Sequence, residues 1–183
     1  MPGSLRILDD HLKERLQIIN RTLPIKSILD VGAGDGAYAG YLKDICPEAK
    51  LHAVEPTESY VTEYDLASKY DTVFPQTIRE FLESDTPHIY DVARCGDVLE
   101  HLFLSEAIDT IECLLYCCRR VIVMWPTNAS QGWWEGNKYE KHKSNFTLSD
   151  LSRFNVVSYL KVPIEGTGNY HYAEICGMHS GVN

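Results

Sequence analysis

The chain has no apolar run long enough to cross a bilayer. Its strongly apolar runs, such as Val121 to Trp125, fall far short of the roughly 20 residues a spanning helix needs. Met1 to Asp10 carries no signal-peptide h-region, so a soluble, unsecreted, cytoplasmic protein with no membrane partner is expected. Positive charge is scarce too. Lys plus Arg number 17 against 26 Asp plus Glu, a net charge of −9, which lacks the electrostatic footprint of a nonspecific nucleic-acid or anionic-membrane binder. The six cysteines, Cys46, Cys95, Cys113, Cys117, Cys118 and Cys176, form no CxxC pair and no dense disulfide spacing, so reduced thiols are expected. There is no internal repeat or low-complexity tract, and 183 residues suit one domain with one core.

What is present alternates. Leu12, Leu16, Ile19 and Leu23 recur at helical steps over Asp9 to Leu23, with Asp9 or Asp10 placed to cap the first turn. Ser27 to Val31 is a short apolar run that ends in Gly32-Ala-Gly34-Asp-Gly36 and leads into a helix from Ala37 to Cys46. The rhythm continues with strands at Lys50 to Glu55, Asp71 to Pro75, Tyr90 to Gly96 and Arg120 to Trp125. Between them, helices are expected over Ser59 to Lys69, Thr77 to Ser84 and Ser105 to Cys118. Parallel strands need crossover helices, so this alternation predicts a doubly wound α/β fold with helices on both faces. Pro126 to Ser144 breaks the pattern as a long irregular loop of the kind usually kept for function. A short helix over Thr147 to Phe154, capped by Thr147 or Ser149, precedes two β-rich runs, Asn155 to Val162 and Tyr170 to Met178. The connection between those runs is too short for a crossover, so they should pair antiparallel.

The first βα turn of such a sheet is where a glycine-rich loop lets a cofactor approach the backbone. Gly32, Gly34 and Gly36 stand there, although a glycine triplet alone also fits a tight turn without ligand. Asp30, two residues earlier among Ile28, Leu29 and Val31, is a costly charge unless it meets a cation or hydrogen-bond donors. It suits a ligand with an ammonium and a sulfonium better than a pyrophosphate, which a carboxylate repels. Glu55, at the end of the second strand, is placed to accept hydrogen bonds from both hydroxyls of a ribose.

Together, Leu29-Asp-Val-Gly-Ala-Gly-Asp-Gly36 and Val54-Glu-Pro56 resemble the first two motifs of class I S-adenosylmethionine-dependent methyltransferases. The resemblance covers roughly residues 25 to 178. It implies a mostly parallel seven-stranded sheet of order 3-2-1-4-5-7-6 with the last strand antiparallel. It also implies S-adenosylmethionine across strands one, two and four. The organisation that follows is one methyltransferase domain over 1–183: an N-terminal helix or lid (1–24), a cofactor-binding core (25–125), a substrate loop (126–146) and a C-terminal helix with edge strands (147–183). By position in the family, Asp30, Gly32, Ala33, Gly34, Glu55 and Pro56 meet the methionine and ribose parts. Thr77 and Ile78 flank adenine, and Cys95, Gly96 and Asp97 border the methyl group.

The fourth strand does not end in the Asn/Asp-Pro-Pro-Tyr pattern of amino-group methyltransferases. Instead Asp97, Glu100 and His101 follow it, and His142 waits in the long loop. This set is similar to the acid-x-x-Glu-His plus downstream His of small-RNA 2′-O-methyltransferases and to the Glu-His of ubiquinone-type O-methyltransferases. That likeness implies a divalent metal held by Asp97, Glu100, His101 and His142, although Asp97 is shorter than the Glu found in the small-RNA enzymes. Two further readings stay open: Glu100 capping or pairing with His101 packed, and His142 with His101 as catalytic groups in which His142 serves as general base. His52, His88, His171 and His179 lack clustered partners and are read as surface or packing residues. Trp125, Trp133, Trp134 and Tyr139 flank the loop and would either stack a flat or sugar-like substrate or pin the loop. Cys113 and Cys117, one turn apart, suggest a buried helix face. The missing amino-transfer motif and the acidic charge favour O-methylation of a small or glycan-like acceptor by a monomer or homodimer; nucleic acid is not the expected partner, with an RNA 3′ end left open. A nicotinamide-type oxidoreductase and a catalytically silent cofactor-binding subunit remain as rival classes.

Overall fold

The computed structural model describes residues 6–84, 89–129, 131–132, 136–164 and 168–178. Seven strands form one sheet of order β3-β2-β1-β4-β5-β7-β6. They are β1 (Ser27–Val31), β2 (Lys50–Val54), β3 (Thr72–Phe74), β4 (Tyr90–Gly96), β5 (Cys118–Thr127), β6 (Val156–Ile164) and β7 (Gly168–Cys176). The first five pair parallel; β7 runs antiparallel to β5 on one side and to the edge strand β6 on the other. The expected sheet order and the antiparallel last strand are both present. The central strands β1 and β4 read as near-continuous apolar runs because both their faces are covered. On β6, partly buried and exposed positions alternate residue by residue, as on a strand with one face packed and one in water.

Among the described residues, six α-helices surround the sheet: α1 (Asp9–Thr22), α2 (Ala37–Ile45), α3 (Glu58–Glu63), α4 (Leu66–Lys69), α5 (Ile78–Leu82) and α6 (Leu104–Cys117). The expected single helix over Ser59 to Lys69 is two pieces, because Asp65 takes a left-handed backbone (φ 46°) between them. Neither Asp9 nor Asp10 caps α1. Leu8 is the N-cap, and Asp9 lies inside the first turn, where its carboxylate binds Arg6 and accepts from the Tyr38 hydroxyl (2.8 Å). Thr147 and Asp150 form a capping box over a 3₁₀ turn at Leu148–Leu151, shorter than the expected helix. On α6 the buried positions are Ala107, Thr110, Ile111 and Leu114. Cys117 is partly buried and packs against the core, whereas Cys113 is exposed, so the buried-face reading holds for Cys117 and not for Cys113.

Two cores result, one on each side of the sheet. Leu12, Leu16, Tyr38, Leu42 and Tyr70 pack with Ile28, Val92 and Met124 on one face; Phe81, Ile111, Leu114 and Phe146 pack with Leu29, Cys95, Val123 and Trp125 on the other. Trp125 is fully buried, edge-on to Phe146 and stacked on His171, so it serves packing and not a ligand. His171 bridges the Thr127 and Tyr159 hydroxyls and His52 bonds Tyr90, as packing histidines should. His88, His179, Trp133 and Trp134 lie outside the described residues. No helix among the described residues is long and apolar enough to cross a membrane.

Helix α1 is fastened to the sheet by charge as well as by its apolar stripe. Glu174 on β7, 1% exposed, accepts from Arg15 of α1 at 2.8 Å and from Arg120 of β5 at 3.2 Å. Removing one member of such a buried set strands the others, at a cost of about 3 kcal/mol or more. Glu174→Ala is therefore expected to lower the urea midpoint by an amount equivalent to about 3 kcal/mol, with α1 amides losing hydrogen-exchange protection ahead of β4. A uniform loss across both elements would contradict this fastening role.

Candidate active site

At the carboxyl ends of β1, β2 and β4 lies a cavity of about 860 Å³, within the range of small-molecule sites. Its floor is the glycine turn. Gly32 has φ +71°, and a Cβ there would come within 2.5 Å of Val98 Cγ2, so no other residue fits this close approach. The turn is tied to β2 by Gly32 N–H donating to the Val54 carbonyl (2.8 Å) and Gly34 N–H donating to Glu55 Oε2 (2.8 Å). Glu55 Oε1 also accepts from the Thr57 amide (2.9 Å). Burial pushes the Glu55 carboxyl above the usual range, opposed by those two amides. Each carboxylate oxygen keeps a second lone pair, so the group can still accept from a diol.

Gly32, Ala33, Gly34, Glu55, Pro56, Thr77, Ile78, Gly96 and Asp97 all line the cavity. Asp30 and Cys95 do not. Cys95 points to the opposite core, as strand alternation requires of the neighbour of Arg94 and Gly96. Asp30 is fully buried: Arg94 Nη1 donates to its Oδ1 (2.7 Å) and the Tyr70 hydroxyl to its Oδ2 (2.6 Å). The cation it meets is thus Arg94, directly opposite in the β1–β4 register, where a ligand ammonium was expected. The Arg94 Cζ lies 3.5 Å from the Tyr38 ring centroid, a close cation–π contact, and Arg94 and Tyr38 both line the cavity. Arg94, Tyr38 and Tyr70 were absent from the sequence-derived site. The available signal was a lone arginine in the apolar strand Tyr90-Asp-Val-Ala-Arg-Cys-Gly96, on a strand expected beside a buried carboxylate.

The other end of the cavity carries the acid and histidine cluster. Glu100 is 2% exposed, and neither carboxylate oxygen has a hydrogen-bond partner on another described residue. Burial first, and the Asp97 charge second, push it well above the ordinary carboxylate range. His101 Nδ1 is likewise buried without a partner; burial and the neighbouring His142 push this imidazole down to about 4. The His101 and His142 rings meet edge to face with centroids 4.8 Å apart. His142 Nδ1 lies 2.9 Å from the Ala129 carbonyl, which only accepts, so Nδ1 carries a proton and Nε2 remains to take a proton or a cation. Ligand atoms of Glu100, His101 and His142 all lie within 4.8 Å of one another.

Asp97, expected as a fourth ligand, is not in that group. Its backbone is left-handed (φ 54°), and its Oδ2 accepts from the Tyr170 hydroxyl at 2.8 Å. The long loop forms the roof. Lys143 and Ser144 amides donate to the Glu100 carbonyl (2.7 and 3.2 Å), while Asn137 bonds Thr57 and Glu140 bonds Tyr60 across the cavity. Tyr139 and Gln131 of this loop line the cavity with His142 and Lys143.

No family model and no curated protein matches the sequence. The fold, however, is shared with solved structures. The magnesium protoporphyrin IX methyltransferase ChlM from Synechocystis PCC 6803, with bound S-adenosylhomocysteine, aligns with TM-score 0.69 and 18% identity over 92% of this chain and 81% of that one. The N-methyltransferase NodS from Bradyrhizobium japonicum WM9, with the same ligand, gives 0.65 and 11% over 94% and 88%. The plantazolicin methyltransferase BamL gives 0.67 and 10% over 93% and 85%. The chain therefore has the fold of class I S-adenosylmethionine-dependent methyltransferases. Its neighbours are named for magnesium protoporphyrin IX, for N-methylation and for plantazolicin, so the acceptor does not follow from the fold.

A buried carboxyl whose folded pKa is raised binds a proton that the unfolded chain has already released, so it costs stability as pH rises from the ordinary carboxylate range through the folded value. Glu100→Gln removes that cost. With chelator present, it is expected to raise the melting temperature at pH 8, at about 2–4 °C per kcal/mol gained, and to change it little at pH 4. For His101 the sign is opposite. Its depressed folded pKa means stability present above about 6.5 and lost as pH falls through about 4, a loss that His101→Phe should flatten in pH-dependent urea titrations.

Proposed function

We propose that the protein is an S-adenosylmethionine-dependent methyltransferase that methylates oxygen on a small or carbohydrate-like acceptor. The observation that carries the cofactor is the cavity at the ends of β1, β2 and β4, floored by Gly32 to Gly34, with the Glu55 carboxylate and the Thr77 and Ile78 wall. Glu55 would accept the ribose hydroxyls, and Thr77 and Ile78 would flank the base. Glu100, His101, Gln131, Glu140, His142 and Lys143 gather polar groups at one end of a lining that also includes apolar Val98, Leu102 and Ile164, and these polar groups suit a hydroxyl-bearing acceptor.

In this reading the acceptor oxygen attacks the methyl carbon as the carbon–sulfur bond breaks, and the oxygen's proton passes to His142 Nε2. His101, kept uncharged at neutral pH by burial, leaves room for that second positive charge. Holding oxygen and methyl carbon in line supplies most of the acceleration, at best about 7–11 kcal/mol. The orphaned oxygens of Glu100, the buried Nδ1 of His101 and the His142 ring also fit a divalent ion, with Asp97 left to Tyr170. Such an ion, when bound, lowers the pKa of a coordinated hydroxyl, and His142 is then a ligand instead of a base.

Calorimetric titration separates the cofactor classes: S-adenosylhomocysteine is expected to bind and NAD is not, and Glu55→Gln should weaken the former about 10- to 100-fold. NAD binding alone defeats the assignment. Elemental analysis of wild type, His101→Ala and His142→Ala then decides the role of the cluster. A divalent ion present in the wild type and lost from both variants supports the ligand role, whereas equal content in all three removes it. Turnover that survives chelation but is lost in His142→Ala supports the base.

A further inference from the structure

A charged side chain at the cavity wall needs a reason. Arg94 is 2% exposed and is held from three sides: Asp30 takes Nη1, the Tyr38 ring packs on its guanidinium face, and Gly96 clears the space beside it. A Cβ on Gly96 would fall 2.7 Å from Arg94 Cζ, so the glycine two residues along β4 is what lets the guanidinium lie toward the strand end. Burying a guanidinium costs several kcal/mol before its partners repay it, and apolar residues of the same size usually serve stability as well or better. Its placement in the cavity lining, next to Gly32 to Gly34 and Tyr38, puts it within the part of the site that an amino-acid arm would occupy.

Resting on the cofactor reading above, we propose that Arg94 receives the carboxylate of the cofactor's amino-acid arm, with Asp30 acting on the ligand only by fixing the guanidinium. The planar guanidinium fork matches carboxylate geometry, and a charge-assisted contact in a closed cavity is stronger than its equivalent in water. The arm's ammonium is then directed away from this cation, not toward Asp30. The polarity of the subsite is the reverse of what the acidic residue at position 30 alone suggests.

The test compares three ligands on the intact protein by calorimetry: S-adenosylhomocysteine, its decarboxylated analogue, which keeps the amine, and 5′-methylthioadenosine, which lacks the arm. The wild type is expected to bind the decarboxylated analogue about 10- to 100-fold more weakly than S-adenosylhomocysteine. In Arg94→Met that ratio should fall to about one, whatever the change in methylthioadenosine affinity, and Arg94→Lys should restore part of it. Equal binding of the two homocysteine ligands by the wild type overturns the proposal without any variant, so a misfolded Arg94→Met cannot shield it. Persistence of the ratio in a folded Arg94→Met also overturns it. If methylthioadenosine and S-adenosylhomocysteine both fail to bind the wild type, the cofactor reading itself is what falls, and this inference goes with it.

Discussion

The ion pair between Asp30 and Arg94 organises the centre of the molecule. It joins the two middle strands of the sheet by side chains as well as by the ladder, and it draws Tyr70 from the β2–β3 connection and Tyr38 from α2 onto the same pair of charges. Two charges so deeply enclosed are tolerable only when each is saturated by well-placed neighbours. That requirement fixes the geometry around them. Tyr38, pinned by its contact with Arg94 and by its hydroxyl bond to Asp9, sets the position of α2 beneath the glycine turn and ties it to α1. Gly96 has to lack a side chain for the same reason. The shape of the cavity floor thus follows from an electrostatic demand inside the sheet.

Much of the architecture was readable from local pattern. The alternation of apolar runs with helical periodicity, the glycines after β1 and the short link between the last two strands each act over a few residues, so the α/β class and the antiparallel final pair could be anticipated; the sheet order came from the resemblance carried by the glycine-turn motif. The place of Glu55 at the cavity was readable for the same reason, because it follows directly on a strand in a βα unit. Asp30 shows where such reading stops. Its need for a counter-charge was evident, but the partner comes from 64 residues away, through the β1–β4 register, and a lone arginine in an apolar strand carries no periodic signal. Taken from its own strand alone, a charge that proteins rarely bury without compensation points to a ligand, because the compensating residue belongs to another strand.

The cluster at the far end of the cavity shows a similar division. The spacing of Glu100 and His101 after β4 and the presence of His142 in the loop could be seen in the chain, and the fold brings all three together. The roles of Asp97 could not. A left-handed backbone at Asp97 and a hydroxyl donor from β7 depend on how the C-terminal hairpin closes against β5, which no local pattern specifies. The loop's attachment is equally non-local: its amides reach the Glu100 carbonyl while its side chains reach Thr57 and Tyr60. Roof and cluster are therefore one assembly, since His142 belongs to the loop that these contacts hold in place.

The outermost strand, β6, has a separate bearing on how the molecule behaves in a crowded solution. An open strand edge is a template on which other chains can nucleate aggregates. Here Pro163 offers no amide donor and Lys161 places a charge on the exposed face beside Val157 and Tyr159, while the alternate positions are partly buried. The rim of the sheet is thereby blunted against self-templating growth without a covering helix.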